Sequence, residues 1–512
     1  MAKKGIEQLI FSEIGGNTKK SAMVIAGKLI SYEKLFDTVN RIATHFQNTA
    51  LSGNRIAFML PNSLEIIAIY LACFQSGCIA MPVNRRYAPP EFEKVLQDAK
   101  PIYLIIEADK LFLLEKINWS VTGIKKIFVV GESLNHPYFS FDELLSESEN
   151  LPKQFISCET PAVIFYTSGS TGQPKGVIHT LSSIEAMLDS TSLALDNITS
   201  EDKMIICEPQ CHVSGFIETL STLSREGTAL VNDGFDMDWY LATVMREKPT
   251  LAVHHIDTFI KLLESGRCDA ETFKSFRGIY TGGDALPAAI QNKFLACAGK
   301  PIQVGYGMTE AIWLTICRNP DLTQKSCIGK PVAGVTLRLV NSTGEEVRCG
   351  DVGEIQVKGD MVMHSYWNNP KATSEAFMED WFKTGDCGAM NEQGDFYYKG
   401  RIKNIIIRNT SNIMPGEVEA AIYKHPSVSV VAVIGVPDAN EGEVPVAFVV
   451  VKKDKQLTRE ELNSFLIEQI AQYKIPATIY LIDEMPVTNS GKINHKKLYD
   501  YLETEEKPPS LR

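Results

Sequence analysis

Hydroxyls, glycines and a lysine crowd one short stretch of this chain, Tyr166-Thr167-Ser168-Gly169-Ser170-Thr171-Gly172-Gln173-Pro174-Lys175-Gly176. Glycines let a backbone turn its N–H groups toward an anion, and Thr167, Ser168, Ser170, Thr171 and Lys175 can complete a cage around phosphate oxygens. The stretch directly follows the apolar run from Ala162 to Phe165, which reads as a strand. A nucleotide-phosphate loop at a strand end is therefore expected. Its spacing differs from the common phosphate loop, because Lys175 is followed by glycine and not by a hydroxyl that could sit on magnesium. A flexible Gly/Ser/Thr surface loop would have the same composition, so the order of the residues carries the reading.

Further strings follow: Gly305-Tyr306-Gly307-Met308-Thr309-Glu310, Trp381-Phe382-Lys383-Thr384-Gly385-Asp386, Gly400-Arg401-Ile402-Lys403 and Asn489-Ser490-Gly491-Lys492-Ile493. With the first stretch, and in this order, they resemble the signatures of the adenylate-forming superfamily of acyl-CoA synthetases, luciferases and peptide-synthetase adenylation domains. The nearest likeness is to AMP-forming acyl-CoA synthetases, and it covers nearly the whole chain. The resemblance implies a ligase that turns a carboxylic acid and ATP into an acyl-adenylate and pyrophosphate, then passes the acyl group to coenzyme A with release of AMP. ATP, Mg²⁺ and coenzyme A are the cofactors it implies.

Each string then has an implied task. Thr167, Ser168, Gly169, Ser170, Thr171, Gly172 and Lys175 would hold the β- and γ-phosphates. Tyr306 offers an aromatic face to adenine, Gly307 allows close backbone approach and Thr309 sets a hydroxyl beside the α-phosphate. Glu310 is the hard oxygen ligand that Mg²⁺ prefers. Gly282, Gly283 and Asp284 resemble the adenine and acyl wall, Asp386 the ribose-binding aspartate, and Arg401 a guanidinium reaching ribose or α-phosphate. Lys492 resembles the lysine that bridges the carboxylate and α-phosphate during adenylation, Lys403 the hinge, and His212 a gate between acyl and thiol sites.

The resemblance implies an α/β fold: a large N-terminal domain of several subdomains with parallel-type sheets over residues 1–400, and a small mobile α+β lid over 401–512. The patterns agree. Leu35, Val39, Ile42, Ala43 and Phe46 recur at helical spacing, and Ile56 to Leu60 and Ile79 to Val83 read as strands of a β-α-β unit. Near the C-terminus, Ser427 to Val436 and Val446 to Lys453 read as strands, and Thr458-x-x-Glu461 as a capping box opening a helix. The apolar stretch Leu64 to Val83 is interrupted by Gln75, Ser76 and Gly77, so a buried helix, a glycine stop and a strand fit better than a membrane span. The tail after Leu502 is charged and Pro-rich and is expected to fray.

Bulk properties narrow the partners. A net charge of −11 argues against a broad nucleic-acid or anionic-membrane footprint. Eleven cysteines without paired spacing suit a reducing cytosol, and the N-terminus lacks the apolar core of a signal peptide. Cys207, Cys211 and His212 could suggest a metal, but buried or pocket-lining residues fit them better, since no second ligand pair follows at finger-like spacing.

Three places depart from the family pattern. Asn409 and Thr410 stand where one or two glycines usually line the pantetheine tunnel, and Asn404 stands where an acid is common. Three readings are open: coenzyme A is accepted after a loop shift, the acceptor is a carrier-protein thiol, or adenylation dominates; a non-catalytic nucleotide-binding homologue is a further alternative. In Val253-His254-His255-Ile256-Asp257-Thr258, where relatives often have small apolar residues and proline, two readings stand equally: His255 or Asp257 makes the acyl pocket more polar than a fatty-acid channel, or both are surface residues. The acid, its chain length and the oligomeric state are not legible.

Overall fold

The computed structural model describes residues 18–49, 52–132, 137–146, 156–167, 174–283, 286–318, 320, 326–408, 411–438, 441–488 and 492–503. The chain divides into two compact units. One comprises Met1–Leu337, Val357–Phe382 and Gly394–Phe396, the other Arg338–Gln356, Lys383–Gln393 and Tyr397–Arg512.

In the first unit, short apolar runs bounded by Gly, Pro and Asn fold as strands of two sheets. One carries parallel neighbours in the order Gln303–Met308, Gly278–Thr281, Leu251–Val253, Lys203–Ile206, Thr228–Val231 and Ser21–Ile25. Met204, Ile205 and Ile206 are all fully buried, as parallel strands covered on both faces require. Ala311–Cys317 adds antiparallel to Gln303–Met308. The other sheet runs Ser365–Tyr366, Lys175–Thr180, Pro161–Thr167, Ile79–Pro82, Arg55–Met59, Tyr103–Glu107, Lys126–Val130 and Phe139–Ser140.

The interrupted apolar run behaves as its sequence predicts. Leu64–Ser76 is a helix apolar on nearly every side and buried accordingly. The Ser63 hydroxyl caps it by accepting from Ile66 N at 3.3 Å, and Gly77, at φ 70°, ends it in the left-handed conformation before strand Ile79–Pro82. Among the described residues no helix is long and apolar enough to cross a membrane. Tyr70 on this helix packs against Phe58, Phe165 and Phe216 at ring separations of 4.8, 6.4 and 4.6 Å. Phe165 lies just before Thr167, and Phe216 one helical turn after His212. One aromatic cluster thus anchors two segments that carry candidate site residues.

The second unit has its own core. Val428–Asp438 and Gly442–Val451 pair antiparallel, with Ile406–Arg408 and Thr478–Leu481 alongside. Helix Arg459–Ile467 opens on the expected capping box: Glu461 N donates to Thr458 Oγ1 at 3.1 Å, and Thr458 N donates to Glu461 Oε2 at 2.9 Å. Its Leu462 and Leu466 are fully buried with Val431, Val433 and Ala447. The tail beyond 503 lies outside the described residues.

Candidate active site

Because four neighbouring strands of the first sheet run the same way, the residues that follow them share one edge, where ligands of open α/β sheets bind. Glu208 and His212 follow Lys203–Ile206, His254 and His255 follow Leu251–Val253, and Gly282 and Gly283 follow Gly278–Thr281. Tyr306 and Gly307 close Gln303–Met308, and Thr309 and Glu310 come directly after it. The glycines here are spatial requirements. A Cβ at Gly305 would stand 1.9 Å from Trp313 Cζ3, and one at Gly307 would stand 2.5 Å from the Trp313 backbone nitrogen. The indole of Trp313 occupies the space that Gly305 leaves open.

The second sheet delivers the phosphate-loop residues. Pro161–Thr167 and Lys175–Thr180 form an antiparallel pair with Thr167 opposite Lys175. Strand Ser365–Tyr366 then pairs with Lys175–Thr180, Tyr366 opposite Val177. The Lys175 ammonium lies 4.8 Å from the centroid of the Tyr366 ring, and the same tyrosine donates its hydroxyl proton to Glu310 Oε1 at 2.8 Å. Met363 N donates to the Glu310 carbonyl at 2.7 Å. The His179 ring nitrogen Nε2 lies 2.8 Å from the Thr309 carbonyl and donates to it, while burial lowers the His179 pKa to about 4 and keeps the ring neutral. Thr309 and Glu310 are therefore braced by Lys175–Thr180 and Ser365–Tyr366, the strands next to the candidate phosphate loop. Sequence reasoning missed Tyr366 and His179, which lie in runs with no chemical motif of their own.

Glu310 suits a divalent cation of one kind. Among the described residues no three metal-ligating side chains converge. One carboxylate with phosphate oxygens and retained water is the way Mg²⁺ is usually held, so the residues present fit that ion. Cys207 and Cys211 do not suggest a thiolate site, since both are buried and burial pushes the Cys211 thiol up to about 11.

The segment leading to His212 is fixed from the neighbouring sheet. Asn62 Nδ2 donates to the Glu208 carbonyl at 2.8 Å, Gln210 N donates to Asn62 Oδ1 at 2.7 Å, and the Tyr70 hydroxyl donates to the Gln210 carbonyl at 3.0 Å. His212 caps helix Val213–Ser224 with its ring 3.5 Å from Asn84 Nδ2.

In the second unit the structure brings Asp386 and Arg401 together. The Asp386 carboxylate is buried, and Arg401 Nε lies 2.8 Å from its Oδ1. Thr384 steadies this acid by accepting from Asp386 N at 3.1 Å while donating to the Ile355 carbonyl at 2.6 Å. Lys403 lies in the single turn Ile402–Asn404. Lys492 is exposed on a turn closed by Thr488, whose N–H donates to the Lys492 carbonyl at 2.6 Å and whose hydroxyl accepts from Lys492 N at 3.2 Å.

The family model for AMP-binding enzymes matches residues 12–367, and that for the AMP-binding enzyme C-terminal domain matches 417–492. The chain belongs to the AMP-binding enzyme family. A feruloyl-CoA synthase of Amycolatopsis sp is 30% identical over 91% of this chain and 93% of its own length. An indoleacetate–CoA ligase of Aromatoleum aromaticum is 29% identical, covering 93% of each chain. The ATP-bound structure of MatB from Rhodopseudomonas palustris superposes with a TM-score of 0.89 at 27% identity, over 97% of this chain and 98% of that one. This AMP-binding enzyme is an AMP-forming acid–CoA ligase: it makes an acyl-adenylate from a carboxylic acid and ATP, and coenzyme A then takes the acyl group. Ser168, Gly169, Ser170, Thr171, Gly172, Asp284, Asn409 and Thr410 lie outside the described residues.

Proposed function

We propose that the residues named above carry out the adenylation half-reaction as their resemblance implies. A carboxylate is a poor acyl donor because its leaving group would be oxide; attack on the α-phosphate of ATP replaces that leaving group by AMP. Such chemistry is mostly positioning and neutralisation of charge. Lys175 and the hydroxyls of its loop bind the β- and γ-phosphates, Thr309 orients the α-phosphate, Asp386 takes the ribose, and Arg401 reaches the ribose or the α-phosphate. Glu310 would hold Mg²⁺, which when bound neutralises phosphate charge. Lys492 bridges the carboxylate and α-phosphate. The lid then turns about Lys403 to withdraw Lys492 for thiol attack, and His212 separates the acyl and thiol sites. A cytosolic setting suits the cysteine content.

The observation that carries this reading is Tyr366, which touches Lys175 with its ring and Glu310 with its hydroxyl. It puts a candidate phosphate lysine and a candidate metal carboxylate on one side chain. ATP–pyrophosphate exchange across a panel of carboxylic acids tests the reading. Exchange should require Mg²⁺ and fall at least about 100-fold in Lys175→Ala and Glu310→Gln; exchange undiminished in both variants would remove their assigned roles.

A further inference from the structure

Glu208 and His255 form a pair that the adenylation chemistry does not use. They follow neighbouring parallel strands, Lys203–Ile206 and Leu251–Val253. His255 Nε2 lies 3.0 Å from Glu208 Oε2, and the His255 backbone N–H donates to Oε1 at 3.2 Å. The Glu208 side chain is only 7% exposed, whereas that of His255 is 44% exposed, so the carboxylate sits behind a half-buried ring. Burial by itself would lower the His255 pKa, but the bond to Glu208 and its charge, with Asp257 and the Gly282 backbone, raise it to about 9. Burial would raise the Glu208 pKa, and the bond and charge of His255 hold it below the usual carboxylate range instead. The two are an ion pair at neutral pH. The adjacent His254 is fully buried, kept neutral by that burial, and turned to Tyr240, its Nε2 3.3 Å from the phenol oxygen.

The Nδ1–Cε1 edge of the His255 ring lies beside Gly283, and the ring nitrogen not bound to Glu208 is hydrogen-bonded to the Gly282 backbone. A Cβ at Gly283, whose φ is +90°, would stand 3.4 Å from His255 Cε1 and 3.5 Å from Nδ1. A cationic ring fixed from behind thus lines the crevice beside Gly282 and Gly283. On the ligase reading, which seats the acid along this glycine wall, we infer that the His255–Glu208 pair selects the substrate: an aromatic acid whose electron-rich ring stacks on the imidazolium. An unbranched alkyl chain would strip water from the ion pair and return no cation–π contact, so such acids are disfavoured. His255 is then a specificity-determining residue that touches substrate, and Glu208 is the positioning residue behind it.

Pyrophosphate exchange with 4-hydroxycinnamic acid and with decanoic acid tests this, the readout being the ratio of their kcat/KM values. The unsubstituted enzyme should favour the aromatic acid by about tenfold or more. The double variant E208L/H255L replaces both partners, so no buried carboxylate is left unpaired. It should move the ratio about tenfold toward decanoic acid while the KM for ATP changes less than about twofold. If the double variant does not fold, His255→Asn decides in the same sense, with a smaller shift in the same direction expected. An unmoved ratio with an unmoved KM for ATP, or a preference of the unsubstituted enzyme for decanoic acid, overturns the assignment alone. Absence of exchange with every acid overturns the ligase reading and the assignment with it.

Discussion

The two units hold their candidate residues in different ways. In the first, Thr309 and Glu310 are tied to other strands through His179, Met363 and Tyr366, and the Trp313 indole fills the space over Gly305. In the second, Lys492 is exposed, and its backbone is held by Thr488, next to the bridge between Val487 and Ile493. Preorganised donors act without reorganisation at the moment of reaction, which suits groups that hold phosphates throughout. A lysine needed in one half-reaction and withdrawn in the next gains nothing from being locked in place. The braced edge and the exposed turn correspond to those two needs.

Several substitutions would break or sharpen this contrast. Lys492→Ala should reduce pyrophosphate exchange by about 100- to 1,000-fold, with thermal stability and ATP affinity nearly unchanged. A matching loss of ATP affinity would place Lys492 among the braced groups.

Acid comes next in size of effect. Burial lowers both His179 and His254 to about 4, below the ordinary value of 6.5. Each favours the neutral native state, so its contribution is fully present above pH 6.5 and is lost as pH falls through about 4, at up to about 3 kcal/mol per group. All five tryptophans lie in the first unit, so their fluorescence should show its urea midpoint falling between pH 7 and 4.5. A flat midpoint would mean the two imidazoles are not held neutral.

Gly305→Ala presses a methyl into the indole of Trp313, and overpacking of this kind costs about 1–3 kcal/mol. Calorimetry should show a lower Tm, largely restored by adding Trp313→Leu; failure of the second change to restore it would show that the indole is not the obstacle. The smallest effect is expected from Tyr366→Phe, which removes the bond to Glu310 and leaves the ring over Lys175. Titration calorimetry should show MgATP binding weakened by up to about tenfold and ATP binding without Mg²⁺ little altered, since a hydrogen bond contributes about 0.5–1.5 kcal/mol net. Equal weakening in both titrations would detach Tyr366 from the metal carboxylate.

Much of the fold was legible because local patterns and tertiary structure agree. The helix Tyr32–Thr49 buries the very residues, Leu35, Val39, Ile42, Ala43 and Phe46, whose spacing marks it, and the Thr458 capping box forms as its residue types require. Residues that act through contiguous strings were legible too. What escaped notice were groups whose roles depend on partners far along the chain. Tyr366 has meaning only once its strand pairs with Lys175–Thr180, and Glu208, beside an apolar run, gives no hint of His255 until the sheet places their strands together. Asp257, read as either a polar pocket residue or a surface residue, is exposed and pairs with Lys261 one turn along its own helix, while its charge still acts on His255.

The most direct measurement of the central claim is mass detection of products in a single turnover: enzyme, MgATP and an acid active in exchange, first alone and then with coenzyme A. The expected result is an enzyme-bound acyl-adenylate that disappears on addition of coenzyme A as the acyl-CoA thioester and AMP appear in equal amounts. An adenylate that persists in coenzyme A, or ADP in place of AMP, would contradict it.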